Sequence, residues 1–346
     1  MALRDVLGIR HPIVLGPFGG LSSVALTAAV SEAGGLGSYG LYGYAPGRIR
    51  DTVAELRAAT DRPFAVNLWL PTGDEVTPDE VDLTAAIAAV APIFAELGLE
   101  VPAIPDRFLP PFDDQLEAVL DAAPAVLSLV YGAPSRELVD AAHGRGIRVI
   151  GTATTVAEAQ ALDASGVDAI VASGAEAAGH RVSFLAPAER SLVGTFALVP
   201  QVVDAVSVPV IAAGGIADRR GVAAASALGA SGVQVGTAFL RTTQSAAPAS
   251  HRQAIADAAD TSTVLTRAMS GRLSRGIPNR AVREIEQAGA IAPFPAQNWL
   301  TGRFRAAAGP LDRGEFLSLW AGQAAALCTR TDAAEVFAEL VAGLPG

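Results

Sequence analysis

Short apolar runs rich in Val, Ile and Ala recur along this chain, each followed by Gly or a small polar residue and then by a stretch whose apolar positions keep helical spacing. The repeat is roughly twenty to thirty residues long, enough for one strand, one helix and two short turns. The apolar runs predict strands at 13–17, 36–39, 64–68, 125–130, 148–152, 169–172, 210–213 and 232–235. Runs such as VLSLV, VIAA and VQV are apolar without alternation, as strands buried on both faces are. Helix starts are marked by Ser22, Ser135 and Asp218, and by a T-x-x-E capping box of Thr155 and Glu158, in which each side chain would satisfy the other end's amide. Gly34, Gly144, Gly166 and Gly229 mark helix ends.

Strands alternating with helices argue for an α/β protein with a parallel sheet. Eight such units fit a closed (β/α)8 TIM barrel better than an open sheet, whose strand number would be accidental. The third unit is stretched: between the strand at 64–68 and its helix, an insertion at about 71–113 runs through PTGDEVTPDEV, a helix near 83–97 and the proline-rich VPAIPDRFLPP. It follows a strand, on the side where barrel active sites form, and is expected to be either a lid or a surface elaboration. Residues 1–260 are read as the barrel and 261–346 as a helical C-terminal extension, packing on the barrel mouth or on a partner, which allows a homo-oligomer.

Composition narrows the function classes. Hydrophobic residues make up 51% of 346, enough for a large core, yet no apolar run is long enough to span a bilayer. No basic, apolar leader opens the sequence, so a cytoplasmic location is expected. The net charge of -10 is unsuited to a polyanion, so no nucleic-acid partner is expected. All 25 basic residues are arginine. A Schiff base or a Walker loop needs lysine, so pyridoxal enzymes, lysine aldolases and P-loop NTPases are excluded. The one cysteine, Cys328, allows no disulfide within the chain and reads as a small buried apolar residue. Four histidines, at 11, 143, 180 and 251, lack metal-binding spacing, and no metal is expected.

The chain contains a literal G-x-G-x-x-G at Gly35, Gly37 and Gly40. A dinucleotide turn must follow a strand and open a helix, whereas these glycines follow a helix and enter a strand, so they are read as a helix end and tight turn. A better cradle lies after the seventh and eighth strands, in VIAAGGIAD and VQVGTAF, where Gly214, Gly215, Gly236 and Thr237 sit at strand ends. Barrels often bind phosphate there, through close backbone amides, a Thr hydroxyl and a helix N-terminus. His180, in IVASGAEAAGHR beyond the sixth strand, is placed in a small-residue loop facing the mouth, where a near-neutral imidazole suits proton transfer or an oxyanion. His143 and His251 fall on outer helices and His11 at the opposite end. Tyr39, Tyr42 and Tyr44 follow the second strand, as pocket or packing residues.

Read in order, several segments resemble the nitronate monooxygenase family, formerly called 2-nitropropane dioxygenases. They are HPIVLGPFGG with AAVSEAGGLGSYG, PFAVNLW, GAEAAGHR, AAGGIAD, GVQVGTAFL and SGRLSRGIPNR, the last with Gly271, Arg272, Arg275, Gly276, Asn279 and Arg280. The resemblance implies a noncovalent FMN lying across the barrel mouth. Pro17 and Phe18 would lie along the flavin, and Asn67 would hydrogen-bond it. Gly214, Gly215 and Gln234, Val235, Gly236 and Thr237 would hold the phosphate. Ser173 and Gly179 would border the cofactor, and His180 would contact substrate. Ser173 stands where many relatives have Gln, and Phe18, in a Gly-Pro-Phe where relatives have Ala-Pro-Met, narrows the site.

The activity so implied is oxidation of an alkyl nitronate or nitroalkane by O2, giving a carbonyl compound and nitrite. One alternative is an NAD(P)H-dependent FMN reductase acting on a quinone or enoyl thioester, since fold alone does not separate the two. Another is a non-catalytic flavin-binding protein. An IMP-dehydrogenase-like chemistry would need a cysteine in a barrel loop, and Cys328 lies too late in the chain.

Overall fold

A computed structural model describes residues 2–345. Its strands are β1 (Ile13–Leu15), β2 (Gly37–Gly40), β3 (Phe64–Trp69), β4 (Val126–Val130), β5 (Arg148–Ala153), β6 (Ala169–Ser173), β7 (Gly179–His180), β8 (Val210–Ala213), β9 (Gly232–Val235), β10 (Val264–Thr266) and β11 (Ser274–Gly276). Eight are parallel and lie in the order β1-β9-β8-β6-β5-β4-β3-β2. The ring closes between β1 and β2, where Leu15 N donates to Leu36 O and Leu36 N to Ile13 O, both at 2.9 Å. The expected (β/α)8 TIM barrel is therefore the fold.

Strand residues alternate between two hydrophobic clusters, which explains the unbroken apolar runs. Val14, Leu36, Ala65, Val126, Ile150, Ala169, Val171, Ile211 and Ala213 fill the barrel interior, and Leu3 and Leu7 from the first helix plug its N-terminal end. Their neighbours, such as Ile13, Val66, Leu127, Val149 and Ile170, pack outward against the helices. The glycines of the false dinucleotide motif serve this packing. A Cβ on Gly37 would lie 2.1 Å from Thr27 O of helix Val24–Glu32, and one on Gly40 2.7 Å from Phe18 O.

Two helix starts and one helix end form differently from the local sequence signals. Ser135 and Asp218 do cap their helices, but helix Val24–Glu32 is capped by Ser23, not Ser22. Ser22 Oγ instead accepts from Phe18 N and Gly40 N and donates to Phe18 O, tying the loop after β1 to β2. Only half of the Thr155–Glu158 box forms: Thr155 accepts from Glu158 N, while the buried Glu158 carboxylate accepts from Thr154 N and Oγ1 and from Phe184 N and Leu185 N. Four donors from two loops outcompete one cap amide. Gly144 stays right-handed, and Gly146, at φ 75°, takes the left-handed turn.

The insertion and the extension share a hydrophobic cluster. Val90, Ile93 and Phe94 of helix Thr84–Glu96 pack with Val282 and Ile285 of helix Arg280–Ala288 and with Leu300 and Phe304 of helix Ala296–Ala308. Arg280 and Arg313 both bridge to Glu96, at 2.7 and 2.6 Å. β10 and β11 pair antiparallel, and β11 pairs with β7, laying a three-stranded sheet at the mouth. The last helix, Ala333–Val341, returns to the barrel core through Val336, Phe337 and Leu340.

Candidate active site

The C-terminal ends of the strands open into a cavity of about 370 Å³. Pro17, Phe18, Asn67, Ser173, Gly179, His180, Gly214, Gly215, Gln234, Gly236 and Thr237 all line it. Most occupy the C-terminal half of a barrel strand or the turn just beyond it, whereas Gly179 and His180 form β7, farther along the chain from β6. Val235 does not: it points into the core at 1% exposure, and only its carbonyl, which accepts from Gly16 N at 2.9 Å, serves the site. Strand alternation accounts for this, since Gln234 and Val235 face opposite ways.

The glycine cradle is built for close approach. Gly214 and Gly215 hold φ of 106° and 72°, and a Cβ on Gly214 would press on Thr195 Oγ1 at 2.9 Å. Among the described residues, the amides of Gly215, Gly236 and Thr237 have no acceptor. Thr237 Oγ1 accepts from Gly322 N at 3.0 Å, which leaves its own proton to donate. Glu176 borders the cradle, but its carboxylate is engaged on Thr195 N and Oγ1 at the start of helix Thr195–Ala205, at about 2.9 Å. Asn67 Nδ2 donates to Ser128 O at 3.1 Å, and Oδ1 has no partner among the described residues.

His180 is not in a free loop. Gly179 and His180 pair with Arg275 and Ser274 of β11, so the extension sets the histidine's position. Two arginines fix the preceding turn by reading its carbonyls. Arg181, 2% exposed, donates to Gly174 O at 2.7 Å and Ser173 O at 2.9 Å, and Arg275 Nε donates to Ala175 O at 2.9 Å. Burial lowers the Arg181 pKa to about 10, which still leaves it charged at neutral pH.

The His180 ring sits between Trp69 and Trp320, with centroids 4.9 and 5.4 Å away. Burial, with Arg272 and Arg305 adding repulsion, lowers its pKa to about 3. The titration expected near neutrality is thus moved well below it, and the imidazole is neutral at physiological pH. Nε2 lies 2.8 Å from Ser270 Oγ, whose single proton can turn toward the ring or toward Arg272 O at 3.1 Å. With the Ser270 proton turned toward the ring, Nδ1 carries the N–H and can present it to an anion.

Arg305, from helix Ala296–Ala308, also lines the cavity. It donates to Ser318 Oγ and to Asn298 O and Oδ1, and it has no carboxylate partner among the described residues. Its buried Nε has no acceptor, and burial lowers its pKa to about 10. Tyr42, its hydroxyl held by Asn298 at 3.2 Å, and Tyr44 border the same space, while Tyr39 belongs to the core. His251 is buried and bonds Trp320 O at 3.0 Å, so it supports the segment carrying that tryptophan. His143 pairs with Asp168 on the outside, and Cys328 is buried, its thiol pushed up to about 12.

Sequence reasoning missed Arg305, Trp320, Asn298 and Ser270, all in the extension. The available signal was a cluster of Arg and Trp in a tail otherwise rich in Ala and Gly. No group of acidic, His and Cys side chains able to hold a metal occurs among the described residues, and no helix there is long and apolar enough to cross a membrane.

A sequence profile of the family described as nitronate monooxygenase matches residues 1–343. A probable nitronate monooxygenase of Staphylococcus aureus (strain Newman) is 38% identical over 341 residues, covering 98% of this chain and 96% of the relative. Among solved structures, nitroalkane oxidase from Streptomyces ansochromogenes superposes with a TM-score of 0.86 at 35% identity, over 99% of this chain and 97% of that one. FabK from Thermotoga maritima superposes with a TM-score of 0.76 at 30% identity, over 98% and 94%.

Proposed function

The chain belongs to the nitronate monooxygenase family and is an oxidoreductase, and on that premise we propose that it uses FMN to oxidise alkyl nitronates with O2, releasing a carbonyl compound and nitrite. The donor set fits such a cofactor: free amides at Gly215, Gly236 and Thr237 would hold its phosphate, Asn67 Oδ1 would accept from the ring edge, and Pro17 and Phe18 would lie along the ring. Bound FMN would supply the electron transfer. Gln234, Ser173 and Gly179 would complete the wall around it.

The observation that carries the substrate class is Arg305. A guanidinium withdrawn from water without a carboxylate is costly unless the site is meant to receive an anion. A nitronate is a planar anion whose two oxygens suit a guanidinium and an N–H from His180. Held neutral by burial and two guanidinium groups, the imidazole is a poor base for the carbon-bound proton of a neutral nitroalkane, which favours the nitronate as substrate. Trp69 and Trp320 flank the imidazole.

The test is nitrite release from propyl-2-nitronate in air, with the released cofactor identified by mass. Arg305→Met should raise KM about tenfold or more while flavin stays bound, the loss of one charge-assisted contact. Rapid anaerobic bleaching by NADH or NADPH, without nitrite formation in air, would replace this reading with an NAD(P)H-dependent reductase. Bound flavin with neither reaction would indicate a binding protein.

A further inference from the structure

A second cavity, of about 430 Å³, lies beside the first, between the start of the insertion, the proline-rich turn near 106–112 and Phe294. The two share a wall made by Tyr42 and Trp69. The Trp69 ring touches His180 on one side, at 4.9 Å between centroids, and stacks at 5.9 Å on Phe294 on the other. Tyr42 completes the wall at 4.2 Å from Trp69.

The two cavities differ in what they offer. The first holds an unneutralised cation and a histidine. The second is walled by Leu70, Val76, Phe108, Leu109 and Pro111, and the buried cation at its side, Arg272, is already spent. Arg272 bridges Asp74 at 2.6 Å and Glu75 at 2.8 Å, and lies 3.9 Å over the Phe294 ring and 4.4 Å over Tyr131. Asp106 and Arg107 also border this cavity but are exposed to solvent. Among the described residues, no unpaired buried charge borders this cavity to fix a polar group, whereas apolar surface is abundant.

We propose that this chamber is the subsite for the substrate's hydrocarbon tail, and that the physiological substrates are nitronates with a long alkyl chain. This rests on the assignment of the head group to the neighbouring cavity. The planar anion sits by Arg305 and His180, the chain passes the Trp69–Tyr42 wall, and its methylenes lie against the insertion. The insertion thereby sets chain-length preference without touching the reacting atoms.

Two homologous series test the proposal on the flavin-loaded enzyme. Straight-chain nitronates from two to eight carbons should show kcat/KM rising about threefold to fourfold per added methylene, the factor for transferring one CH2 out of water. Straight-chain carboxylates, unreactive planar anions of similar shape, should show the same slope in Kd by calorimetry. Leu109→Trp and, separately, Val76→Phe should fill the chamber and flatten both slopes while ethylnitronate is turned over as before. Each variant is checked by thermal melting, and either one, if folded, suffices. A flat carboxylate series in the wild-type enzyme overturns the chamber, as do slopes unchanged in a folded variant. A carboxylate slope that the variants abolish, in a protein oxidising no nitronate of any length, keeps the chamber and overturns the proposed reaction instead.

Discussion

His180 stays neutral because burial and two nearby guanidinium groups oppose its protonation, and His251 does so because burial outweighs its bond to Trp320 O. Both folded pKa values, about 3 and about 4, lie below the value of 6.5 that the unfolded chain offers. Between those limits the unfolded chain binds protons that the folded one refuses, so stability rises with pH there and falls as the solution is acidified. Melting temperature should level off above about pH 7.5 and drop toward pH 5, before carboxylates begin to titrate. His251→Asn, which can still donate to Trp320 O, should reduce that drop; an unchanged slope would remove His251 from the account. Activity should show no ionisation of His180 across the neutral range, and His180→Ala, which removes a hydrogen-bond donor to the reacting anion, should lower kcat about a hundredfold or more with flavin retained.

At the scale of elements, small residues decide how closely a helix approaches its strand. Gly37 belongs to a motif that reads as nucleotide-binding in one dimension, yet its missing Cβ makes room for the Thr27 carbonyl. Gly37→Ala should therefore destabilise the fold by about 3 kcal/mol through overpacking, measured by denaturant unfolding, and leave flavin affinity unchanged. Weakened flavin binding at undiminished stability would restore the nucleotide reading. The misplaced cap has a related cause. Ser22 and Ser23 are equivalent as cap formers in sequence, and only the approach of Gly40 N and Phe18 N recruits Ser22 elsewhere. Glu158 likewise fits a capping box until a second loop brings Phe184 N and Leu185 N within reach.

Across the whole molecule, the extension is what finishes the site. It supplies Arg305, Ser270 and Trp320, pairs β11 with β7 to position His180, and rests on the insertion through a common apolar cluster. Phe304 is fully buried in that cluster, edge-on to Phe94 at 5.9 Å. Phe304→Ala should cost about 3–5 kcal/mol and leave a cavity. Because helix Ala296–Ala308 carries both Phe304 and Arg305, the variant should also raise KM for nitronate, although Phe304 lines neither cavity. A stability loss with unchanged KM would show that the helix holds Arg305 independently of its packing.

What the sequence determined by itself was the barrel and its glycine-lined strand ends, because period, apolar runs and turn residues are local quantities that each segment carries on its own. Gly214, Gly215 and Asn67 were legible at the mouth since each lies in or just after the C-terminal half of a barrel strand, whereas the pairing that positions His180 comes from β11. The direction of Val235, the loss of the histidine's near-neutral titration and the unpaired charge of Arg305 were decided only by tertiary structure. Burial, partner choice and field depend on residues roughly a hundred positions away in the chain, and no local pattern records which of them will meet.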